Sequence, residues 1–320
     1  MDKKNQILSD KDVLILQKLF EDGRKSSSSI ATEIDLGREI VNYRIKRLIK
    51  ENLIVKFVPK MNERALHYTE YNILLKLNLE DELSKAKFIK EQIGNKYLVW
   101  MIKSNSGWDL IVRLYAQSIE EFKEKLAEIL EGYSSVLAGY YTIIASEEIK
   151  ENEKEVLFED LFNKHLPKKD FEIVKHTTQL FIDEKDKQII NLLENDARVQ
   201  YQEIAEKLEI SSDTVKYRID KMKEIGVIEN IIPIINFGKL GYLYYAAILK
   251  LDYLTKEEEK KICQHLQKNE KVIKAIKNLN ADEYFLNVVF DTEKQKEDFE
   301  IELRKMSKNK VQRIEFFKIE

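Results

Sequence analysis

Cysteine, proline and glycine are all scarce in this chain of 320 residues, which has one, three and nine of them respectively. The lone Cys263 excludes an internal disulfide and fits a reducing compartment. So few glycines and prolines leave little room for long loops or for glycine-rich phosphate cradles. No Gly-x-x-x-x-Gly-Lys, His-Glu-x-x-His or Cys-x-x-Cys occurs, which removes the commonest signatures of nucleotide hydrolysis, zinc proteolysis and thiol redox chemistry. His67, His165, His176 and His265 are scattered and read as surface or internally satisfied side chains. Apolar runs such as Tyr242–Leu249 are far too short to span a bilayer, and no basic-then-apolar stretch opens the sequence. No membrane role, no cofactor and a cytoplasmic place are therefore expected. Neither sign of charge dominates: the net charge is -3, unlike that of a nucleic-acid binder. Net charge averages over domains, however, so its distribution decides.

What the chain does have is a copy of itself. A shift of 174 positions brings Leu8–Tyr68 onto Ile182–Tyr242 without a gap, with 17 identities in 61 positions. Asp22-x-Arg24 falls on Asp196-x-Arg198, Ile30-Ala31 on Ile204-Ala205, and Val41-x-Tyr43-Arg44-Ile45 on Val215-x-Tyr217-Arg218-Ile219. The same shift aligns Leu75-Lys76-Leu77 with Leu249-Lys250-Leu251 and Ile102-Lys103 with Ile276-Lys277. A two-copy repeat of this length is a duplicated domain pair and not a solenoid, whose periods are far shorter.

Each copy begins with three short helices. Val13, Leu16, Leu19 and Phe20 recur at helical spacing, Ser26–Ser29 offer an N-cap for a second helix through Ile34, and a third runs from about Arg38 to Lys50. That third helix ends at Asn52 or, in the second copy, at Gly226, the residue types that tolerate a left-handed cap. The β-branched stretch Leu53–Pro59 follows as a strand or wing. Helix, helix, turn, helix and strand make a winged helix-turn-helix. The alternative is a helical packing module that binds no nucleic acid. Charge separates the two copies on this point. Leu36–Lys60 carries seven basic residues against Glu39 and Glu51, whereas Ile210–Ile234 carries four basic and four acidic residues. Phosphate neutralisation supplies most non-specific affinity, so the first copy is expected to be the better DNA reader.

After Tyr68 the period changes to that of strands. Ile73–Leu79, a helix over Glu82–Ile93, strands Tyr97–Ser104 and Trp108–Ala116, a helix over Ile119–Leu130 and a strand Ala138–Ser146 give the order β-α-β-β-α-β. The second copy repeats it from Leu243 to Ile319. The expected class is α+β: two winged helix-turn-helix units, each followed by a ferredoxin-like domain with both helices on one face of a four-stranded sheet. The boundaries read are 1–67, 68–147, a linker 148–180 with a short helix Val156–His165 and a hinge at Pro167–Asp170, then 181–241 and 242–320. Glu147–Glu155 reads as solvated linker. The sheet face away from the helices carries Leu74, Ile111 and Tyr115 in the first copy, and Ala246, Ile248, Phe285 and Val289 in the second. An apolar open face meets a partner. Tethering favours the other copy in the same chain, so an intrachain pseudo-dimer is expected.

These residues together resemble the Lrp/AsnC (feast/famine) transcriptional regulators: Asp10-x-Asp12, Asp22-x-Arg24, Ile30-Ala31, Val41-x-Tyr43-Arg44-Ile45 and Leu53-Ile54 ahead of a β-α-β-β-α-β domain. The second copy is similar to them through Ile182-Asp183-x-x-Asp186, Glu203-Ile204-Ala205, Gly226-Val227-Ile228 and Leu240-Gly241-Tyr242. The resemblance implies a sequence-specific regulator that binds double-stranded DNA through the third helix. It also implies homo-oligomers and modulation by an amino acid or related metabolite. The DNA-facing candidates are Arg38, Asn42, Tyr43, Arg44, Lys46, Arg47, Lys50 and Lys56 in the first copy, with Lys216, Tyr217, Arg218 and Lys221 in the second. Arg44 and Arg218 flank the buried face, and ion pairs to Asp12 and Asp186 are placed ahead of phosphate contacts for them. The effector candidates are Ser106, Gly107 and Asp109, on the turn before the third strand, where small residues and a carboxylate can present donors and one anion to a ligand. In the second copy Ala281 and Glu283 depart from that pattern.

One enzyme class also looks like this family: the sirohaem decarboxylases, which occur as paired or fused copies. They place an Arg-Arg-Phe-Gly run and a His-Arg pair after the helix-turn-helix. Here only Phe57 and Arg64 match in the first copy and nothing in the second. A pocket for a tetrapyrrole with many carboxylates needs cations and a proton donor, so no enzyme activity is expected.

Overall fold

The structure is a computed structural model, and residues 7–78, 82–92, 97–98, 100–131, 136–151, 182–279 and 282–319 are described. They form two units. One is built from the described residues of Met1–His67 and Pro167–Gly241, the other from those of Tyr68–Leu166 and Tyr242–Glu320. Like has joined like: both helix-turn-helix segments lie in the first unit and both ferredoxin-like segments in the second.

In the first unit α1 (Asp10–Glu21), α2 (Ser27–Glu33), α3 (Arg38–Lys50) and β1 (Ile54–Met61) make the first reader. Ser9 and Asp12 cap α1 reciprocally, each side chain accepting from the other's amide, and Ser26 caps α2 through the amide of Ser29. Asn52 takes the left-handed conformation that ends α3, at φ 57°. Val13, Leu16, Leu19, Ile30, Val41, Ile45 and Leu48 are buried at the helical spacing read from the sequence. The second reader repeats this plan with α6 (Glu184–Asn195), α7 (Tyr201–Leu208), α8 (Ser212–Glu224) and β6 (Ile228–Ile235). The wings β1 and β6 pair antiparallel, with Phe57 opposite Pro233 and Pro59 opposite Ile231. Those two pairs interchange under the 174-residue shift, so a pseudo-two-fold axis relates the readers.

In the second unit β2 (Thr69–Leu77), α4 (Glu82–Gln92), β3 (Trp100–Lys103), β4 (Leu110–Ala116), α5 (Ile119–Leu130) and β5 (Leu137–Glu151) form the first ferredoxin-like domain. The second comprises β7 (Leu243–Leu251), α9 (Lys256–Lys268), β8 (Val272–Asn278), β9 (Glu283–Phe290), α10 (Glu293–Met306) and β10 (Val311–Lys318). Their strands make one eight-stranded sheet in the order β10-β7-β9-β8-β5-β2-β4-β3. One face of each half packs on its own helices, through Ile73, Leu75, Val112 and Phe122 in the first and Leu249, Leu286, Val288 and Phe299 in the second. The other faces meet each other. Leu74 and Ile111 share one buried cluster with Ala246, Ile248, Phe285 and Phe317.

Two junctions close this arrangement. Ala145 pairs with Asn278 where β5 meets β8, and Ser104 bridges to Ile319 where β3 and β10 end. These are again counterparts under the shift. The first junction corrects one expectation. Glu147–Glu151, read as the start of a solvated linker, continues β5, with Glu148 opposite Ile276 and Glu151 opposite Lys274. Its charges are answered across the strand: the Lys150 ammonium donates to the Asn269 carbonyl at 2.9 Å, and Glu151 accepts from Lys274 at 2.8 Å. The expected linker helix Val156–His165 and the Pro167–Asp170 hinge lie outside the described residues.

Candidate nucleic-acid interface

The third helix of each reader presents one face to solvent and anchors the other. On α3, Arg38, Tyr43, Lys46 and Lys50 are exposed and Asn42 is half-buried; on α8, Lys216, Tyr217 and Lys221 are exposed. Lys56, on β1, is exposed as well, and its ammonium donates to the Glu194 carbonyl of the second reader at 3.1 Å.

Three of the expected DNA contacts, each half-buried, make ion pairs within the protein. Arg44 donates to Asp12 Oδ1 at 2.9 Å and to Ser9 Oγ at 2.8 Å, and Arg47 donates to Asp12 Oδ2 at 2.8 Å. Asp12 is fully buried. Burial works against its charge, but the Ser9 hydrogen bonds and the two guanidinia outweigh that and hold its carboxyl below the usual range. In the second reader Arg218 spans Asp183 at 2.7 Å and Asp186 at 2.8 Å. Arg44 and Arg218 thus fasten the third helix to the first, as their repetition indicated. Arg47 is a second anchor on the same carboxylate, a partner that the sequence reading did not assign to it. Its counterpart is Lys221, so the repeat could not reveal it.

With the anchors set aside, the solvent face of α3 keeps three exposed cations, Arg38, Lys46 and Lys50, against Glu39. That of α8 keeps Lys216 and Lys221 against Asp213, Asp220 and Glu224. The imbalance read from the sequence persists on the surface.

A further pair of arginines sets the readers against each other. Asp22 and Asp196 accept from the amides of Arg24 and Arg198, shaping the turn after the first helix. Arg24 then donates to the carbonyls of Ala197 and Val199, at 2.5 and 2.9 Å, and stacks over Tyr201. Arg198 donates to the Lys25 carbonyl at 2.8 Å and stacks over Phe57. The Gly23 amide reaches Ile231 at 2.7 Å, and the Ala197 amide reaches Phe57 at 3.0 Å. A Cβ on Gly23 would lie 2.8 Å from the Ile231 oxygen, so this approach needs glycine. The sequence showed Asp-x-Arg as a repeated motif; its task of joining the readers shows only in three dimensions.

The expected effector turn is also occupied from within. Gly107 is left-handed at φ +70°, and a Cβ there would meet the Phe317 ring at 2.8 Å. Ser106 Oγ accepts from the Lys318 amide at 3.1 Å. Asp109 accepts from the Leu77 amide at 2.9 Å and pairs with Lys76 at 3.2 Å. Burial opposes its charge, yet that amide and lysine prevail and lower its pKa. Instead of presenting free donors and a free anion, the turn joins the two sheet halves. Its counterpart carries Glu283, buried and accepting from Tyr141 Oη at 2.8 Å and from Asn278 Nδ2. Among the described residues no group of His, Cys, Asp and Glu could hold a metal ion. No described helix is long and apolar enough to cross a membrane.

Known proteins agree with this geometry. The winged helix-turn-helix DNA-binding family matches twice, over residues 8–55 and 182–229. An uncharacterised HTH-type transcriptional regulator of Pyrococcus furiosus is 30% identical over 130 residues, which is 39% of this chain and 86% of that protein. Regulatory protein AsnC of Haemophilus influenzae is 31% identical over 114 residues, or 35% of this chain and 73% of AsnC. The chain belongs to the Lrp/AsnC family of transcriptional regulators. The chain as a whole also has a counterpart in fold. The crystal structure of the siroheme decarboxylase NirDL superposes with a TM-score of 0.60, covering 97% of this chain and 91% of that one, at 13% identity. At that identity the likeness is one of fold.

Proposed function

We propose that a single chain of this Lrp/AsnC regulator binds double-stranded DNA with both third helices, and that the first supplies most of the affinity. The observation that carries this is the contrast between equivalent faces: three exposed cations against one carboxylate on α3, two against three on α8. Each neutralised phosphate releases counterions and steepens the salt dependence of binding. Arg38, Lys46, Lys50 and Lys56 are the phosphate candidates, Asn42 and Tyr43 the base-facing ones, and Lys216, Tyr217 and Lys221 the weaker set. Arg44, Arg47 and Arg218 act through helix placement. The test is the salt slope of binding to a footprinted operator for Lys46→Ala and Lys216→Ala. A larger loss of slope and affinity at Lys46 supports the reading, and equal losses overturn it.

The role proposed is regulation without catalysis. Of the decarboxylase pattern the chain keeps Phe57 and Arg64, and Phe57 is 3% exposed beneath Arg198, serving the joint between readers. Chromosomal footprints from a purified sample without a Soret band would support this, and a bound tetrapyrrole would overturn it. Asp109 Oδ2 is taken by the Leu77 amide and Lys76, and Oδ1 faces Lys85 at 3.5 Å, so an amino-acid-like effector would compete there with three internal partners. Sensing, which membership of the family suggests, is therefore proposed to run elsewhere than Ser106–Asp109. Further association of chains into homo-oligomers would use surfaces other than the sheet faces already buried against each other.

A further inference from the structure

The two junctions of the eight-stranded sheet are alike in backbone and unlike in chemistry. At one of them Lys274, on β8, is buried at 4% exposure and Glu70, on β2, at 8%. The Lys274 ammonium donates to Glu70 Oε2 at 2.8 Å and to Glu151 Oε1 at 2.8 Å. Arg113 lies on the same carboxylate of Glu70, with Nε 3.1 Å away. Under the 174-residue shift Glu70 corresponds to Tyr244, Lys274 to Trp100 and Arg113 to Asn287. The pseudo-symmetric junction therefore sets Trp100 and Tyr244 where this one sets Lys274 and Glu70. Both aromatics pack on the shared apolar cluster. One junction pairs ions directly; the other is aromatic, with the Arg113 guanidinium 5.1 Å over the Trp100 ring.

From this we infer that the inner face of each half accepts the unlike half and rejects its own kind, with Glu70 and Lys274 as the deciding residues. Consider two second halves face to face. Each Lys274 would meet Tyr244 of the other, with Asn287 where the first half has Arg113 and no carboxylate from a Glu70. A buried ammonium stripped of its partners is strongly unfavourable. Two first halves would set each Glu70 against Trp100, losing the lysine that neutralises the Glu70–Arg113–Glu151 group. Specificity here rests on the cost of the wrong pairings as much as on the gain of the right one. A second copy of the chain can then join through this face only by exchanging halves, first with second. Tethering alone would favour pairing within a chain but could not forbid like-with-like contacts at high concentration.

The test uses full-length chains. Glu70→Lys makes the ionic junction two charges too positive, and Lys274→Glu makes it two too negative. Each variant alone is expected to melt below the original protein. Co-expressed, they can exchange halves: Lys at 70 meets Glu at 274 in one junction and the original pair re-forms in the other. A tagged Glu70→Lys chain should capture untagged Lys274→Glu in an excess of about tenfold or more over untagged Glu70→Lys. Native mass spectrometry should show one chain of each. Equal capture of the two, or single variants that melt like the original, overturns the inference. Should neither variant fold even together, the double exchange within one chain decides. The exchanged pair sits beside Arg113 and Glu151, each of like sign, so partial recovery above both single variants supports the inference, and a double variant no more stable than the singles overturns it.

Discussion

Arg47 donates to the buried carboxylate of Asp12 across 2.8 Å, tying the third helix of the first reader to the first helix. Asp12 takes Arg44 from the other oxygen, so one side chain sets the pitch of α3 against α1. Asp12→Ala would leave two guanidinia without their anion and remove one half of the α1 capping box. It is expected to destabilise the protein by about 3 kcal/mol. Asp186→Ala, which leaves Asp183 for Arg218, should cost roughly 1–2 kcal/mol. Thermal unfolding of both variants checks the order.

Arg47→Ala and Lys50→Ala should fail in different ways. The lysine is exposed, so its loss should flatten the salt slope of DNA binding by about one unit and leave the melting temperature nearly unchanged. The arginine is an anchor, so its loss should lower the melting temperature first. Should Arg47→Ala keep its stability and lose discrimination between operator sequences, the anchoring role is wrong.

Gly23→Ala probes the joint between the readers. The added methyl meets Ile231 backbone oxygen at 2.8 Å, which no rotamer change relieves. A loss of about 1–3 kcal/mol is expected, with DNA affinity falling further than removal of a single cation would cause. Hydrogen exchange at the Gly23 and Ala197 amides would report the opening directly.

Acid should loosen the sheet through Glu70. Burial raises its pKa, but Arg113 and Lys274 more than reverse that and hold it at about 2, against an ordinary value of 4.5. A depressed carboxylate contributes stability that is complete above pH 4.5 and is lost as pH falls towards 2. Glu70→Gln should therefore be less stable than the original at neutral pH, and the gap should close across that window. A gap that stays constant down to pH 2 would remove Glu70 from the explanation.

Asp109→Ala should lower the melting temperature by an amount equivalent to roughly 1–2 kcal/mol, because the Leu77 amide and Lys76 lose their acceptor. Amino acids added to the original protein should leave Asp109 engaged, seen as an unshifted Leu77 amide resonance. A ligand that moves that resonance would restore the turn to the list of sensing sites.

Repetition was the most informative part of the sequence, and its limits explain what stayed hidden. Arg44 and Arg218 share their identity while neighbours such as Lys46 and Asp220 differ, which marks them as framework in the sequence alone. Arg47 faces Lys221 in that comparison, and a mismatched pair carries no such mark. The inner sheet faces were legible from alternation at Leu74, Ile111, Ala246 and Phe285. The partnership of Glu70 with Lys274 was not, because it joins residues 204 apart with unlike counterparts. Glu147–Glu151 looked like linker because its charges lacked visible partners, and those partners stand on another strand.

The exchanged arginines have a consequence for how such a chain can change over generations. Arg24 finishes the second reader, and Arg198 finishes the first. A substitution at either one damages the neighbour's architecture rather than its own. Neither half can shed the motif while the other drifts, even though the second carries the less positive face. Inheritance binds the two copies at their joint and releases them at their reading surfaces.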